Sequence, residues 1–144
     1  MASGGKSTVT SQRVSNVTKK NDTANSKKNG SAAIRPERLL DAYRTMFAAR
    51  KSDDKMLNLL KQGKIFFHIG GSGHEAVQVG TAFAMKPGYD WAYPYYRDMA
   101  FSFGFGYAIE DVFLDVLHRA KGPDSAGFAM PFHWTSPKWH ILSQ

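Results

Sequence analysis

The chain has no cysteine, so disulfide bonds, thiolate metal sites and cysteine nucleophiles are excluded. It also lacks any run of about eighteen apolar residues, which a membrane-spanning helix needs, and its amino terminus has no apolar stretch typical of a secretory signal. Aromatic residues are scarce before Ile65 and frequent after it. These absences predict a soluble, intracellular protein with no membrane partner, whose core comes mainly from the later part of the chain.

The first 33 residues contain no aromatic residue, leucine or isoleucine, and consist mostly of Ser, Thr, Asn, Lys and Gly. Such a composition buries too little apolar area to offset the entropy lost on ordering. We therefore expect a disordered leader over residues 1–33 and a globular domain over residues 34–144. A nucleic-acid arm or a mitochondrial presequence is the alternative for the leader, but it has a single Arg, no amphipathic stripe and no aromatic side chain for base stacking.

The net charge of +7 lies mostly in this leader. Six Lys and Arg residues precede Ile34 against Asp22 alone, which leaves only +2 for the rest of the chain. The globular part therefore has no excess of basic residues from which to build a nucleic-acid-binding face. We expect no nucleic-acid partner.

Apolar residues recur at helical spacing from Pro36 onward, and Gly63 supplies a stop signal. This pattern predicts a helix over residues 36–62. The charged residues in its second half are predicted to form a solvent-exposed face: Arg50, Lys51, Asp53, Asp54 and Lys55.

A second helix is predicted from the sequence Ser72-Gly-His-Glu75, which matches the capping-box pattern. In that pattern the Ser oxygen and the Glu carboxylate each accept a hydrogen bond from an otherwise unpaired N–H at the helix start. The helix is predicted to run through Met85 and to pack through one face, formed by Ala76, Val79, Gly80 and Phe83. Glu75 is a candidate general base, but the capping role already explains it.

The remaining elements are predicted to be short. Residues 89–96 are aromatic and predict an extended segment, followed by a helix over residues 97–103 that Gly104 and Gly106 close. Residues 109–119 predict an amphipathic helix with acidic residues in its first turn. Residues 121–126 predict a loop, and residues 139–142 a strand if a partner strand is present.

Tyr96 and Arg97 are the best candidates for binding a ligand. A guanidinium group forms a bidentate pair with a phosphate, and a phenol can donate a second hydrogen bond to the same group. The alternative is a surface ion pair between Arg97 and Asp90 or Asp98, with Tyr96 buried.

The histidines do not predict a metal site. His68 and His74 are six residues apart across a double glycine, a spacing that no common metal-binding motif uses. His68 is a candidate contact for a substrate carboxylate or a cofactor, and the alternative is a loop histidine with ordinary hydrogen bonds. His133 lies in a loop, where functional residues concentrate.

Several short motifs occur in a characteristic order between Leu39 and Gln144. They are Tyr43-Arg-Thr-Met46 with Ala49-Arg50, Asp54-Lys-Met56, Gln62-Gly-Lys64, Gly73-His-Glu-Ala76, Tyr96-Arg97-Asp98, and Met130-Pro131 with His133. In order and spacing the chain resembles the alpha part of the thiamine-diphosphate-dependent, decarboxylating component of 2-oxo acid dehydrogenase complexes. The sequence Gly73-His-Glu75 is most similar to that of bacterial forms in which the alpha and beta parts are fused.

The resemblance implies an α/β thiamine-diphosphate-binding fold, of which this chain is an amino-terminal, mainly helical part, truncated before most of the parallel sheet. Tyr96 and Arg97 would contact the cofactor diphosphate, and His68 would lie near the substrate. The family's magnesium ligands and its activating glutamate match no residue of this chain. The resemblance therefore assigns no catalytic residue and no metal ligand here.

By the same resemblance, the parent enzyme would decarboxylate pyruvate or a branched-chain 2-oxo acid and pass the acyl group to lipoamide. Its expected partners are the beta part, fused or separate, and a lipoyl-bearing acyltransferase, within an oligomer of the bacterial cytoplasm or, alternatively, the mitochondrial matrix. We expect this chain to be an inactive fragment on its own. The rival interpretation is a non-enzymatic helical module that binds a partner subunit through exposed apolar faces.

Overall fold

A computed structural model describes residues 34–142. The predicted leader, residues 1–33, lies outside the described residues. The described part contains the α-helices α1 (Pro36–Lys61), α2 (Glu75–Ala84), α3 (Met99–Phe105) and α4 (Ile109–Val116), and a short 3-10 helix at Pro137–Trp139. Each helix in residues 34–142 is too short or too polar to cross a membrane.

Within these described residues the structure is helical and contains no strand. The prediction of a mainly helical part is therefore confirmed, whereas residues 34–142 contain no parallel sheet of the predicted α/β fold. Two isolated bridges join Ile141 to Ala92 and to Ser136. The strand predicted over residues 139–142 is wrong, because the chain forms a 3-10 turn at Pro137 and continues as a single bridging residue.

Helix α1 confirms the helix predicted over residues 36–62 to within one residue. Pro36 in its first turn lacks an N–H, but an N–H at this position would have no partner within the helix. The positive charge of Lys61 in the last turn interacts favourably with the helix dipole. Its buried residues are Ala49, Ser52, Asp53 and Met56, at the spacing of one helix face. The prediction that Asp53 is exposed is wrong, because this side chain lies on that buried face.

The predicted capping box at Ser72 is wrong. Helix α2 begins at Glu75, and its N-cap residue, His74, makes no side-chain capping bond. The Ser72 hydroxyl instead donates to the Asp53 carboxylate at 3.1 Å, a charge-assisted bond that is stronger than a neutral helix cap. Glu75 accepts from the Gly73 N–H at 2.8 Å rather than from Ser72.

The buried face of α2 also differs from the predicted one. It contains Val79, as predicted, together with Glu75, Gln78 and Ala82, whereas Ala76 and Gly80 are exposed. Both buried polar side chains make hydrogen bonds inside the domain, so burying them leaves no polar group unpaired. Apolar periodicity alone does not detect such a face.

Helices α2 and α3 approach each other closely at Gly104. A Cβ atom at Gly104 would lie 2.8 Å from the Cβ of Ala82, so only glycine fits there without a shift. Gly104 is therefore inside α3 and does not close it, contrary to prediction, whereas Gly106 ends the helix with a φ of 129°. The helix starts two residues later than predicted, because Asp98 is its N-cap residue and accepts from the Tyr95 N–H at 2.9 Å.

Helix α4 begins where predicted, with Glu110 and Asp111 in its first turn, but ends three residues early. His118 has a φ of 51°, a left-handed conformation that an α-helix cannot continue through. The chain then forms the predicted loop over residues 121–126.

The core of the described residues is largely aromatic and aliphatic, and it lies among the helices and the carboxyl-terminal loops. Its largest fully buried side chains include Trp134, Phe105, Met56, Ile65 and Ile141. Ala92 and residues 140–142 exchange two backbone hydrogen bonds of 3.0 Å. This pairing fixes the segment that leads into Tyr96.

Candidate functional site

A buried carboxylate organises the double-glycine loop between α1 and α2. Asp53, on the third turn from the end of α1, is 2% exposed. Its Oδ2 accepts hydrogen bonds from the Gly71 N–H at 2.9 Å and from the Ser72 hydroxyl at 3.1 Å. The loop is thereby attached to α1 by two charge-assisted hydrogen bonds, which are among the stronger hydrogen bonds in proteins.

His68 lies against the other oxygen of the same carboxylate. Its Nε2 is 3.2 Å from Asp53 Oδ1, and its side chain is 1% exposed. The ring meets Phe132 edge-on, with 5.6 Å between the centroids. Among the described residues, both ring nitrogens and Asp53 Oδ1 lack a hydrogen bond of good geometry. The predicted candidate His68 is therefore a buried group whose hydrogen-bonding capacity is not used.

Arg97 also contacts this loop and is partly buried. Its Nη1 donates to the Gly70 carbonyl at 3.4 Å, and its guanidinium carbon is 5.6 Å from the centroid of the Tyr96 ring. Arg97 forms no ion pair with a carboxylate of residues 34–142. The alternative of a surface ion pair with Asp90 or Asp98 is therefore wrong.

Neither of those aspartates is available to Arg97, because each is engaged elsewhere. Asp90 accepts from the Lys86 N–H at 2.6 Å. Asp98 accepts from the Tyr95 N–H and from Gln78 Nε2, and its burial raises its pKa, which the nearby His74 partly opposes. Both carboxylates thus fix the local backbone and leave the Arg97 guanidinium to other acceptors.

The backbone of Arg97 is held by Gln78 of α2. Gln78 Nε2 donates to the Arg97 carbonyl at 3.1 Å, and its Oε1 accepts from the Ala100 N–H at 3.1 Å. A side chain at Gly71 would overlap the Arg97 carbonyl oxygen, so glycine is required at this crossing. Sequence reasoning missed Gln78, and its spacing of three residues from Glu75 was the signal for a polar buried face.

Tyr96 is partly buried next to Arg97. Its hydroxyl accepts a hydrogen bond from the Tyr95 hydroxyl. The buried Trp134 donates from Nε1 to the Tyr95 carbonyl at 3.2 Å, which anchors this pair of tyrosines to the core. The structure therefore brings together three predicted site residues, with His68 and Arg97 both adjacent to Gly70 and Tyr96 beside Arg97.

Glu75 has a structural role, as preferred from the sequence. It accepts from Arg50 Nε at 2.6 Å and from the Gly73 N–H at 2.8 Å. Burial opposes ionisation, but these hydrogen bonds outweigh it and lower the pKa of Glu75. A carboxylate held ionised by two donors is a poor general base.

A second group of buried acids lies away from this loop. The carboxyl groups of Asp115 in α4 and Asp124 face each other, and Asp124 also accepts from the Tyr107 hydroxyl at 2.8 Å. Burial, with the charge of the neighbouring Asp124, raises the pKa of Asp115 to about 7. Burial likewise raises the pKa of Asp124. No pattern in the sequence indicates this pair.

The histidines outside the loop do not assemble with acidic residues into a metal site. His133 Nδ1 is 2.9 Å from the Met130 carbonyl, and His74 is exposed. In the part of the chain that the structure describes, no three His, Cys, Asp or Glu side chains converge in a way that could hold a metal ion.

The sequence that folds into this geometry matches a known family. Residues 43–143 match the sequence model of the family described as "Dehydrogenase E1 component". This match covers more than half of the chain, so the chain belongs to the dehydrogenase E1 component family. The resemblance to the alpha part of that component is confirmed by its relatives.

The chain is 42% identical over 104 residues to the 2-oxoisovalerate dehydrogenase subunit alpha of Bacillus subtilis, covering 72% of this chain and 32% of that protein. It is 38% identical over 86 residues to the pyruvate dehydrogenase E1 component subunit alpha of Acholeplasma laidlawii, covering 60% and 25%. A mitochondrial 2-oxoisovalerate dehydrogenase subunit alpha of Dictyostelium discoideum is 26% identical over 105 residues, covering 73% and 23%. The chain thus spans about a third or less of the length of these relatives.

Proposed function

We propose that this chain supplies one side of a thiamine diphosphate site in a 2-oxo acid dehydrogenase, with Tyr96 and Arg97 contacting the cofactor diphosphate. The parent activity would be oxidative decarboxylation of a 2-oxo acid, of the pyruvate or branched-chain type, and acyl transfer to lipoamide. Its relatives are named for 2-oxoisovalerate and pyruvate dehydrogenases, and this supports the substrate class.

The observation that carries the proposal is the state of Arg97. Its guanidinium is partly buried beside a glycine loop and has no carboxylate partner in residues 34–142. A guanidinium without an anion in such a position is suited to bind a phosphate with two parallel hydrogen bonds. The Tyr96 ring lies 5.6 Å from the Arg97 guanidinium carbon, and its hydroxyl would supply a second polar group.

The described residues fit the diphosphate but not its metal ion. Thiamine diphosphate, when bound, supplies the carbanion chemistry of decarboxylation. The protein residues would orient it: Arg97 and Tyr96 by binding the diphosphate, and Gln78 by holding the Arg97 backbone. Magnesium would need carboxylate or amide ligands from other parts of the enzyme, since no acidic cluster suited to a metal lies within residues 34–142.

Calorimetric titration of the 144-residue chain with thiamine diphosphate and Mg²⁺ tests this role of Arg97. Replacing Arg97→Ala removes a charge-assisted bidentate contact, so the affinity should fall about tenfold or more. Arg97→Lys keeps the charge but loses the planar guanidinium geometry. Its affinity for thiamine diphosphate should therefore lie between those of the wild type and Arg97→Ala. Arg44→Ala, at a 68% exposed side chain that pairs with Asp41, is the matched control and should leave the affinity unchanged.

Thiamine without its diphosphate provides a second comparison. Its weaker binding should be insensitive to Arg97→Ala, because the guanidinium binds phosphate oxygens, which thiamine does not have. Equal thiamine diphosphate affinities of the wild type and Arg97→Ala would contradict the proposal.

The second candidate function is a non-enzymatic module that binds a partner subunit. Large apolar side chains on the first half of α1 are exposed: Leu39, Leu40, Tyr43 and Phe47. Of these, Leu39 borders, together with Ile34, an apolar groove of about 310 Å³ between α1 and α2. An absence of thiamine diphosphate binding, with or without a beta chain, together with stable beta-chain binding, would favour this candidate.

The further parts of the proposal follow from the family. The partners would be a beta part, fused or separate, and a lipoyl-bearing acyltransferase, in an oligomer of the bacterial cytoplasm. Residues 34–144 would be a partial cofactor-binding domain, preceded by a basic leader over residues 1–33. Alone, the chain would lack decarboxylase activity, so release of CO₂ from a 2-oxo acid by the purified chain would overturn this part.

A further inference from the structure

We propose that Asp53 is the positioning residue of this site, because its carboxylate holds the Gly70–Ser72 loop with one oxygen and selects the tautomer of His68 with the other. This inference deepens the proposed function and rests on it where the cofactor is concerned. Asp53 touches neither the expected diphosphate nor a reacting atom, so its effect would pass through His68 and Arg97.

The two oxygens of the Asp53 carboxylate have different partners. Oδ2 receives two donors, the Gly71 N–H at 2.9 Å and the Ser72 hydroxyl at 3.1 Å, while Oδ1 faces His68 Nε2 at 3.2 Å. A carboxylate that is 2% exposed needs such partners, because an unpaired buried charge is strongly destabilising. The geometry assigns one oxygen to the loop and the other to the histidine.

The loop in turn contacts Arg97. The Gly70 carbonyl accepts from the Arg97 guanidinium at 3.4 Å, and Gly71 packs against the Arg97 carbonyl oxygen. Gly71 is the residue whose N–H Asp53 binds, so a shift of the loop moves both contacts of Arg97 together. Two consecutive loop residues, Gly70 and Gly71, thus connect Asp53 to Arg97.

The carboxylate also decides where the His68 ring carries its proton. Asp53 Oδ1 lies 3.2 Å from His68 Nε2, in a contact that lacks the geometry of a hydrogen bond. Because a carboxylate oxygen at this distance attracts an N–H and repels a nitrogen lone pair, we expect the neutral tautomer of His68 to carry its hydrogen on Nε2. Nδ1 is then the acceptor, and among the described residues it has no partner. Asp53 thereby keeps a buried lone pair ready for a donor from a bound ligand.

Nitrogen-15 NMR of the histidine rings in the cofactor-free chain tests the tautomer directly. At about pH 8 imidazole side chains are ordinarily neutral, and the protonated and bare ring nitrogens have well-separated shifts. The His68 signals are assigned by their loss in His68→Gln. The wild type should show the Nε2–H tautomer, and an Nδ1–H tautomer in the wild type would overturn the proposal without any Asp53 variant being needed.

Asp53→Asn should reverse this tautomer. Its single amide oxygen can serve the two loop donors, which leaves the NH₂ group facing His68 Nε2, so that the hydrogen moves to Nδ1. Asp54→Asn is the matched control, because the adjacent carboxylate is 53% exposed and pairs only with Lys51 in the described residues. A role of Asp53 in packing alone would leave the tautomer unchanged, and that result would contradict the proposal.

Thiamine diphosphate titration then tests the transmission to Arg97. Asp53→Asn should weaken binding about tenfold, whereas Asp54→Asn should not, and far-ultraviolet circular dichroism checks that both variants fold. If the wild type binds no thiamine diphosphate with or without a beta chain, the proposed function fails, while the tautomer result still decides the role of Asp53. A switched tautomer with unchanged cofactor affinity would refute the link to Arg97.

Discussion

At the scale of single residues, buried carboxyl groups carry much of the specific structure of this domain. Asp115 is 7% exposed, faces Asp124, and has Asp111 and the Tyr107 hydroxyl nearby. A side chain at Gly122 would overlap Asp115 Oδ1, so the acid is covered by a residue without a Cβ. Two carboxylates in one buried site cannot both ionise without a large penalty, so the pair keeps a proton to a higher pH than an exposed carboxyl group does.

This pair predicts that stability falls as the pH rises. The pKa of Asp115 is raised in the folded chain from its ordinary value of 3.8 to about 7, so the folded state binds the extra proton in between. The stabilisation from this bound proton is complete when the pH is below the ordinary pKa of 3.8, and it is lost as the pH rises through the folded-state pKa of about 7. Urea denaturation of the chain should therefore give a lower free energy of unfolding at about pH 8 than at about pH 5.

Asp115→Asn should remove most of this dependence and raise the free energy of unfolding at about pH 8 by roughly 1–3 kcal/mol, because the amide can donate to Asp124. Glu110→Gln, at an exposed position of the same helix, is the control and should leave the pH profile unchanged. A steep pH dependence that persists in Asp115→Asn would rule out the pair as its source.

The site was only partly predictable at this scale. The sequence offers Tyr96, Arg97 and His68 as candidates, and the structure places His68 and Arg97 next to Gly70, with Tyr96 beside Arg97. Asp53 was assigned to a solvent-exposed face because it stands in a charged run, although it shares a helix face with Ala49 and Met56. A buried charge depends on its partners, and those partners are Gly71, Ser72 and His68, 15 to 19 residues away.

At the scale of elements, helix packing depends on the absence of a side chain at one position. Gly104→Ala would bring two Cβ atoms to 2.8 Å across the contact of α3 with α2, so the helices must move apart. We expect the free energy of unfolding, measured by urea denaturation, to fall by about 1–3 kcal/mol.

Gly80→Ala is the matched comparison. Gly80 lies in α2 with no atom within 4 Å of an added Cβ, so alanine meets no obstacle there. Alanine also restricts the unfolded chain more than glycine, and the variant should gain roughly 0.5–1 kcal/mol. An equal loss of stability in both variants would contradict this account, because the close contact exists at Gly104 and not at Gly80.

All four predicted helices exist, and α1 and α4 were indicated by apolar residues at helical spacing. Their ends were less predictable. Helix α3 starts late because Asp98 engages Tyr95, and α4 stops early because His118 turns left-handed. Such helix ends are set by local hydrogen bonds and by the loops that follow. Neither produces a periodic pattern of residues from which the end could be predicted.

At the scale of the whole molecule, the charge is unevenly distributed along the sequence. Six basic residues and one acidic residue lie in the first 33 positions, and the rest of the chain carries only +2. Any binding to duplex DNA should therefore be weak, fall steeply with salt, and disappear when residues 1–33 are removed. Thiamine diphosphate affinity should be the same for the full chain and for the chain without residues 1–33.

Fluorescence anisotropy with a labelled DNA duplex at low and physiological salt measures this difference. DNA binding that persists in residues 34–144 would contradict the charge argument and would require a basic surface on the folded part. A loss of thiamine diphosphate binding on the same deletion would show that the leader takes part in the site.

The pairing of Ala92 with Ile141 sets a lower limit on the length of chain that can hold this site. Ile141 is fully buried, and its neighbours exchange backbone hydrogen bonds with the residue that stands four positions before Tyr96. The tyrosine and arginine are therefore positioned from both directions of the sequence, by α1 and its loop from one side and by residues some 45 positions later from the other. A shorter segment centred on Tyr96 and Arg97 would keep these two residues but lose the contacts that orient their side chains.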